Sequence, residues 1–496
     1  MSRGLRICVL ASAMMAFAAG ADAATLTVSN SNDSGPGSLR AAVLAANAAH
    51  PAEDQNIVFA QGVDGLSFGE PLPVLEHPRI TLRGAGGPGG APTLSGEDST
   101  PLLRVASTVE RLGLSDLVLE AGRGSVGAGC LDAIAMLDSA VVEIDRVTFS
   151  ACRQDNDDTA LGGAISLNGQ VTIRDSRIEE SRAIGAQAAA GGAILFGVGS
   201  LRIERSVLLD NQALGAGAST AFGGGIAMIV PGSATLEIHD SLLQFNAAGQ
   251  GGALYLRNVD SSVLRSGLVG NAAEFGSAIQ AQALNNAPLR LSLESSTVFD
   301  NEASERGALH VIGPTASLRM RNVSLWNNAA GDTVSDLPGA HLSLQGARLQ
   351  SVHSTLIGRI GTRVAGGPTP LGSACVLNAG PGNAPFVAGN IATDNTCTAL
   401  MPQINAGDEA ALGLGARELT ALGVPFYPLL AGSVLLDAGI GSTAGPTAFD
   451  TCAPLDVRGS ARPDDGDLDG TPRCDIGAFE LNTTAIFRDG FESTLR

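Results

Sequence analysis

From about residue 141 onward, apolar and polar positions alternate in short runs that break at glycine, serine or asparagine. One half of the recurring unit reads apolar-x-apolar-x-x-Ser-x-apolar-x-x-Asn-x-Ala. Leu201 to Ala213 carries Ser206 and Asn211 in this frame, and Leu236 to Ala248 carries Ser241 and Asn246. Leu291 to Ala303 and Leu318 to Ala330 follow the same template. The asparagine position runs through Ala151, Ser181, Asn211, Asn246, Asn271, Asn301, Asn328 and Arg359, a step of about 30 residues. The other half is a Gly-Gly-Ala-Ile segment, as in Gly162 to Ile165, Gly191 to Ile194 and Gly251 to Leu254.

Alternation of period two predicts strands with one face inward. The glycines predict corners too tight for a side chain. A unit of two or three short strands cannot bury its apolar face alone, so similar units must stack. The expectation is an all-β parallel β-helix with regular coils from about 141 to 359. Less regular strands precede them, and a disulfide-tied cap follows. Asn211, Asn246, Asn271, Asn301 and Asn328, at one corner of successive coils, are expected to form a hydrogen-bonded ladder. Helical repeats are ruled out by the missing 3.6-residue pattern, and β-propeller blades by the shortness of the unit. The spacers 183–190, 213–222 and 329–338 vary in length and read as loops at one edge, where function would sit.

The two ends add compartment. Arg3 and Arg6, the apolar run to Ala19 and Ala21-Asp22-Ala23 read as a cleaved export signal, too short to span a bilayer. No later stretch is apolar enough to span one, so the mature chain is expected to lack a transmembrane segment. Leu39, Val43 and Ala46 predict a short amphipathic helix that plugs the first coil. The division is 1–23 signal, 24–56 N-terminal cap, 57–365 β-helix, 366–482 irregular coils and cap, and 483–496 tail.

Of seven cysteines Cys8 would leave with the export signal, and Cys130, Cys152, Cys375, Cys397, Cys452 and Cys474 fall into three pairs, each 22 apart. An even count in an exported chain favours disulfides, and neighbour pairing is the simplest of the possible connectivities. A step of 22 is near one short coil, so each bridge is expected to join adjacent coils. The charge of −19, with arginine as the sole cationic side chain, argues against nucleic acid and anionic lipid as main partners.

Asn32-Asp-Ser-Gly-Pro-Gly-Ser-Leu-Arg40, with an alanine-rich helix containing Asn47, resembles the CSLREA-type opening of bacterial exported right-handed β-helix proteins. It departs from that opening by lacking its Cys and Glu. The Gly-Gly-Ala-Ile and x-x-Asn pairs resemble the repeats of chlamydial polymorphic outer-membrane proteins. The last third resembles the choice-of-anchor Q family in Gly389 to Cys397, Leu430 to Gly439, Asp456 to Pro463 and Cys474 to Glu480. These resemblances imply a right-handed parallel β-helix at the cell surface or in the medium, some members being adhesins. The residues after Arg348 show no series of alternating strands of membrane-barrel length, so self-transport through a fused barrel is not expected.

Candidate chemistry is sparse. Asp465, Asp467 and Asp469 alternate before Gly470, the spacing calcium loops use, and Asp475 stands near the missing twelfth-position glutamate. A solvated acidic turn is the competing account. Asp155-Asn-Asp-Asp158 reads as an exposed polar loop. Glu179 and Glu180 would point to opposite faces of a strand, and Arg174, Arg202, Arg257 and Arg319 recur on solvent faces. The absence of lysine excludes a lysine base, and few aromatics are available to stack on sugars. The leading expectation is a non-catalytic, monomeric surface protein that binds a polysaccharide or a cell-surface protein through its loops. The alternative is a polysaccharide lyase or glycoside hydrolase of the pectin-lyase-like fold.

Overall fold

The computed structural model describes residues 23–85, 90–229, 234–331, 339–361, 373–380, 384–393, 395–397, 409–441 and 447–482. The export signal and the 483–496 tail, including Ile486 to Glu492, lie outside the described residues, apart from Ala23. The chain winds into a parallel β-solenoid with three faces, here called A, B and C. Face A takes strands such as Leu131–Ala133, Ile226–Met228, Leu254–Arg257 and Leu309–Ile312. Face B takes Gln55–Phe59, Arg79–Arg83, Ala234–His239 and Leu289–Glu294. Face C takes Arg177–Glu179, Val207–Leu209, Leu242–Gln244 and Thr297–Phe299. Among the described residues the named strands of these faces pair in parallel, each with the strand of the next turn.

The alternation acts as expected: Ile144, Ile173, Ile203, Ile238, Val263 and Leu293 stack inward on face B and are fully buried. Regular pairing is longer than the repeats suggest, reaching from Ala24–Val28 to Ile391–Ala392. The early turns lack the Ser and Asn markers but keep the inward apolar row, which is what stacking requires. The helix Leu39–Ala48 carries Leu39, Val43 and Ala46 on its buried side. Ser38 caps it by accepting from the Ala41 amide.

The template explains both corners. Between faces B and C the residue before the serine is left-handed, as at Asp175, Arg205, Asp240 and Arg265. The serine then accepts from the backbone amide one turn earlier, Ser176 to Val147 and Ser206 to Ser176, each at 3.1 Å. Beyond face C the left-handed residue is Asp210, Phe245 or Asp300, and the asparagine follows; Glu180 takes the same place before Ser181. Asn211, Asn246, Asn271 and Asn301 each donate Nδ2 to the next asparagine's Oδ1 at 2.9 to 3.0 Å. All five ladder asparagines are fully buried. Each also donates to a carbonyl of the preceding turn, which the corner would otherwise leave unpaired.

Register corrects the alignment at both ends of that row. Arg153 pairs with Arg182, and Arg182 with Gln212, so the residue stacked below Ser181 and Asn211 is Cys152. Ala151 is the left-handed residue before it. At the far end Asn328 bridges to Ile360, not Arg359. The sequence offers no asparagine at either end to fix the count.

The spacers also differ from expectation. Arg153–Asn156, Arg182–Gly185 and Gln212–Leu214 pair in parallel, as do Thr159–Leu161, Ala188–Ala190 and Ala221–Phe222. They form ordered arms around a small core of Ala160, Ala183, Ala189 and Ala213. Methyl-sized side chains let the two thin layers approach, a packing that composition alone disguises as loop. The third spacer lies mostly outside the described residues. Where an arm rejoins the coil, glycine is required: a Cβ on Gly192 would sit 2.3 Å from the Gly224 carbonyl oxygen.

The disulfides are Cys130–Cys152, Cys375–Cys397 and Cys452–Cys474. The first two each tie the start of a turn to its own end rather than joining separate coils. The third lies outside the coils altogether. It holds a C-terminal segment that folds back along face C instead of only closing the end. There Val424, Phe426, Leu429, Ile476 and Phe479 cover the outward Leu242, Val269, Phe299, Trp326 and Leu356.

Candidate functional site

The covering of faces decides where a ligand can reach. The arms lie over face A, where Leu161, Ala190 and Phe222 pack on Leu195 and Ala227. Phe222 and Phe275 stand against Tyr255 and His310 in the same outward row. The C-terminal segment lies over the later turns of face C. Among the described residues, face B keeps its outward rows open over most of its length, and Phe449 sits over Arg319 and Arg321 at its end.

The outward rows of face B are polar. One runs Asn56, Thr81, Gly113, Glu143, Thr172, Arg202 and Glu237 in register across successive turns. Turns lie about 4.8 Å apart, so each side chain has neighbours above and below. A groove of about 510 Å³ occupies the early turns, and a smaller one of about 270 Å³ continues it from Glu143 to Glu237.

The charges on this face are largely matched to one another. Arg111 meets Glu143 at 3.1 Å, Arg174 meets Asp145 at 3.0 Å and Arg202 meets Glu237 at 2.6 Å. Arg290 meets Asp260 at 2.8 Å and Arg321 meets Glu294 at 2.6 Å. At the B–C corner, Asp116, Arg146, Asp175, Arg205, Asp240 and Arg265 alternate in sign up the stack. Arg146 grips both oxygens of Asp116, Arg205 those of Asp175 and Arg265 those of Asp240. Hydrogen bonds from Arg146 and Arg205 hold the Asp116 and Asp175 carboxyls below their ordinary range. Such carboxylates stay ionised and are poorly suited to donate a proton in general-acid catalysis.

Carboxyls pushed the other way lie in the C-terminal segment. Burial raises Asp475 to about 6 and Glu480 to about 7. Glu480 meets Arg462 at 3.1 Å, both side chains fully buried, and accepts from the Asp464 and Asp475 amides. Asp456 accepts from the Arg458 and Ser460 amides and pairs with the Arg458 guanidinium at 2.7 Å. The Asp456-to-Pro463 and Cys474-to-Glu480 motifs therefore interlock as one buried polar knot. Most of its donors and acceptors are taken up by the chain itself, Arg462 Nε being the exception, which fits a structural role.

The acidic loop lies beside that knot, and the structure groups it differently from the sequence spacing. Asp437, Asp465 and Asp467 each bring a carboxylate oxygen within 4.8 Å of the others. Asp469 instead accepts from the Thr471 amide at 2.7 Å. Asp475 turns inward and accepts from the Asp437 and Leu481 amides at 2.9 and 2.7 Å. Asp437 lies far upstream and carries no calcium-loop spacing, so the sequence did not single it out. Its Oδ1 and Oδ2 accept from the Arg473 and Asp467 amides, which pin it beside the loop. Burial, with Asp467 adding like charge, raises the Asp437 carboxyl above its usual range. One Asp465 oxygen is buried with no hydrogen-bond partner among the described residues. Three carboxylates are the oxygen donors a hard divalent cation takes, so Asp437, Asp465 and Asp467 are the residues able to hold calcium.

The remaining candidates fall into place. Asp155 lies on an arm strand with its carboxylate between Arg123 and Arg153, at 2.7 and 2.6 Å. Glu180 is a left-handed corner residue, whereas Glu179 points outward from face C.

No family model matches the sequence, and no curated protein matches it. Among solved structures, pectate lyase Pel9A is similar to this chain at a TM-score of 0.38 and 12% identity, over 93% of this chain and 98% of that one. Among the described residues, no helix is long and apolar enough to cross a membrane.

Proposed function

We propose that this chain is an exported, non-catalytic β-helix protein of the choice-of-anchor Q type that binds a glycan or a surface protein along face B. The observation that carries the reading is the mutual neutralisation of face B. Its carboxylates are held by arginines of the same or neighbouring turns, as in Arg111–Glu143 and Arg174–Asp145. A matched array of this kind offers directed polar contacts to a ligand and leaves few groups poised to move a proton. Asp475 and Glu480, both raised by burial, are locked in the C-terminal knot behind backbone amides, and Asp437 is pinned beside the acidic loop, away from face B. The three-carboxylate cluster, when loaded with calcium, would stiffen the flanking segment rather than act on a ligand.

The test places a bulky label on each face. Thr172→Cys and Ser200→Cys put a maleimide adduct on face B, and Ser150→Cys puts one on the outward side of face C. Binding to polysaccharides or to cells should be blocked by the first two labels and kept with the third. Equal binding with all three would overturn the reading.

A further inference from the structure

We propose that the early turns of face B form a subsite for an acidic glycan strand, contacted by Arg83 and Arg111. The inference rests on face B being the binding surface and adds the class of ligand. Although the chain carries a charge of −19, the groove is lined by Arg79, Arg83, Arg111, Arg146 and Arg174. Three carboxylates stand among them, Asp54, Glu143 and Asp145. Arginine is thus in local excess in a molecule with far more acid than base.

The five guanidinium groups are not equivalent. Arg146 is committed to Asp116 through two bonds, at 2.7 and 3.0 Å, and Arg174 to Asp145 at 3.0 Å. Arg79 is taken by Asp54 and the Ala52 carbonyl. Arg83 has a side chain 65% exposed and, among the described residues, reaches only Asp116, at 4.0 Å, an acid that Arg146 already holds. Arg111 is 58% exposed and gives a single nitrogen to Glu143. These two keep donors free for a ligand anion, while their committed neighbours hold the walls in place. Planar guanidinium groups with free donors suit the bidentate geometry of carboxylate and sulfate.

The floor between them is low because Gly113 occupies an outward strand position, where a Cβ would press on Thr81 at about 3.0 Å. A glycine inside a strand leaves room for close approach. Asn56, Thr81 and Ser115 line the same groove, and Gln170, Thr172 and Ser200 continue the polar row beyond it. Hydroxyl and amide groups in series match a polyhydroxyl chain, and the groove lacks the aromatic anchors typical of protein hot spots.

The test uses the mature chain with its disulfides intact. Probes are alginate, its neutral propylene-glycol ester, dextran sulfate, dextran and single-stranded DNA. Alginate or dextran sulfate should bind, more weakly as salt rises, and the one preferred identifies carboxylate or sulfate as the anion. Arg83→Gln with Arg111→Gln should weaken that binding at least ten-fold with the melting temperature unchanged. Equal binding of the ester or of dextran, an unaffected double variant, DNA bound as tightly as glycan, or no binding of either acidic polymer would each overturn the proposal. A neutral glycan bound on face B without any acidic one would sink the subsite and leave the function reading standing. Blockage by labels on face C alone would sink the function reading instead.

Discussion

Asn328 donates its side-chain amide to Nδ1 of His341, 2.9 Å away inside the solenoid, and so ends the row of asparagines that begins at Asn211. Because Nδ1 accepts, the ring's other nitrogen carries the proton, which it gives to the Gly358 carbonyl at 3.1 Å. The ladder is therefore terminated by a neutral histidine at one end and stacks on Ser181 and Cys152 at the other. A buried polar row of this kind is stable only when its members are satisfied together.

That dependence predicts an uneven cost of mutation. Asn271→Ala removes the acceptor of the Asn246 backbone and side-chain amides and the donor to the Leu243 carbonyl. Each orphaned buried group costs about 1–3 kcal/mol, so the variant should lose about 3 kcal/mol or more. Arg205→Gln breaks half-exposed pairs with Asp175 and Glu204 and should cost about 1 kcal/mol or less. Urea denaturation of the two variants checks the ranking.

Trp326 is the chain's single tryptophan, 8% exposed beneath the C-terminal segment and 5.4 Å from Tyr427 between ring centres. Its emission should report whether that segment is docked. Cys452→Ser with Cys474→Ser removes a 22-residue closure, about 3 kcal/mol of chain entropy. The variant should show red-shifted emission at lower denaturant than the parent, before the solenoid loses its β-sheet circular dichroism.

Burial pushes His310 down to about 4, with Arg306 adding repulsion. The unfolded chain would take up this proton near 6.5, so between about 6.5 and 4 the unfolded state binds more protons. Stability from this residue is therefore full above that range and is lost as pH falls, by up to about 3 kcal/mol. His310→Phe, which keeps the ring beside Phe275, should flatten the fall in melting temperature across that window. Asp475 and Glu480 act with opposite sign: their raised values make the folded state the better proton binder from about 4 to about 7. They cost stability as pH rises through that interval, so the variant isolates the histidine only as a difference from the parent.

Calcium distinguishes the spatial cluster from the sequence spacing. Added calcium at one hundred times its dissociation constant should stabilise the protein by about 2.7 kcal/mol, reversed by chelator. Asp437→Asn should abolish the effect, while Asp469→Asn, whose carboxylate serves the Thr471 amide, should leave it nearly intact. Calorimetry on both variants checks this, and the reverse ranking would return the site to the linear loop.

The solenoid was legible because stacking forces the same side chain into the same place each turn, so the Ser206 and Asn211 frames repeat visibly. The arms were not, since Ala183 to Ala190 owe their order to close packing of methyl groups rather than to apolar alternation. Asp437 and Asp465 meet only because the chain returns along face C, a long-range relationship without local spacing. The role of face B was equally hidden. Arg174 reads as an ordinary outward residue until register places it beside Asp145 on the adjacent turn.

The most direct test of the account incubates the mature protein with plant and bacterial polysaccharides and assays retention and new chain ends in the same samples. The account predicts retention of at least one polysaccharide with no reducing or unsaturated ends above those of heat-inactivated protein. Steady production of new ends, stopped by substitutions on face B, would contradict it.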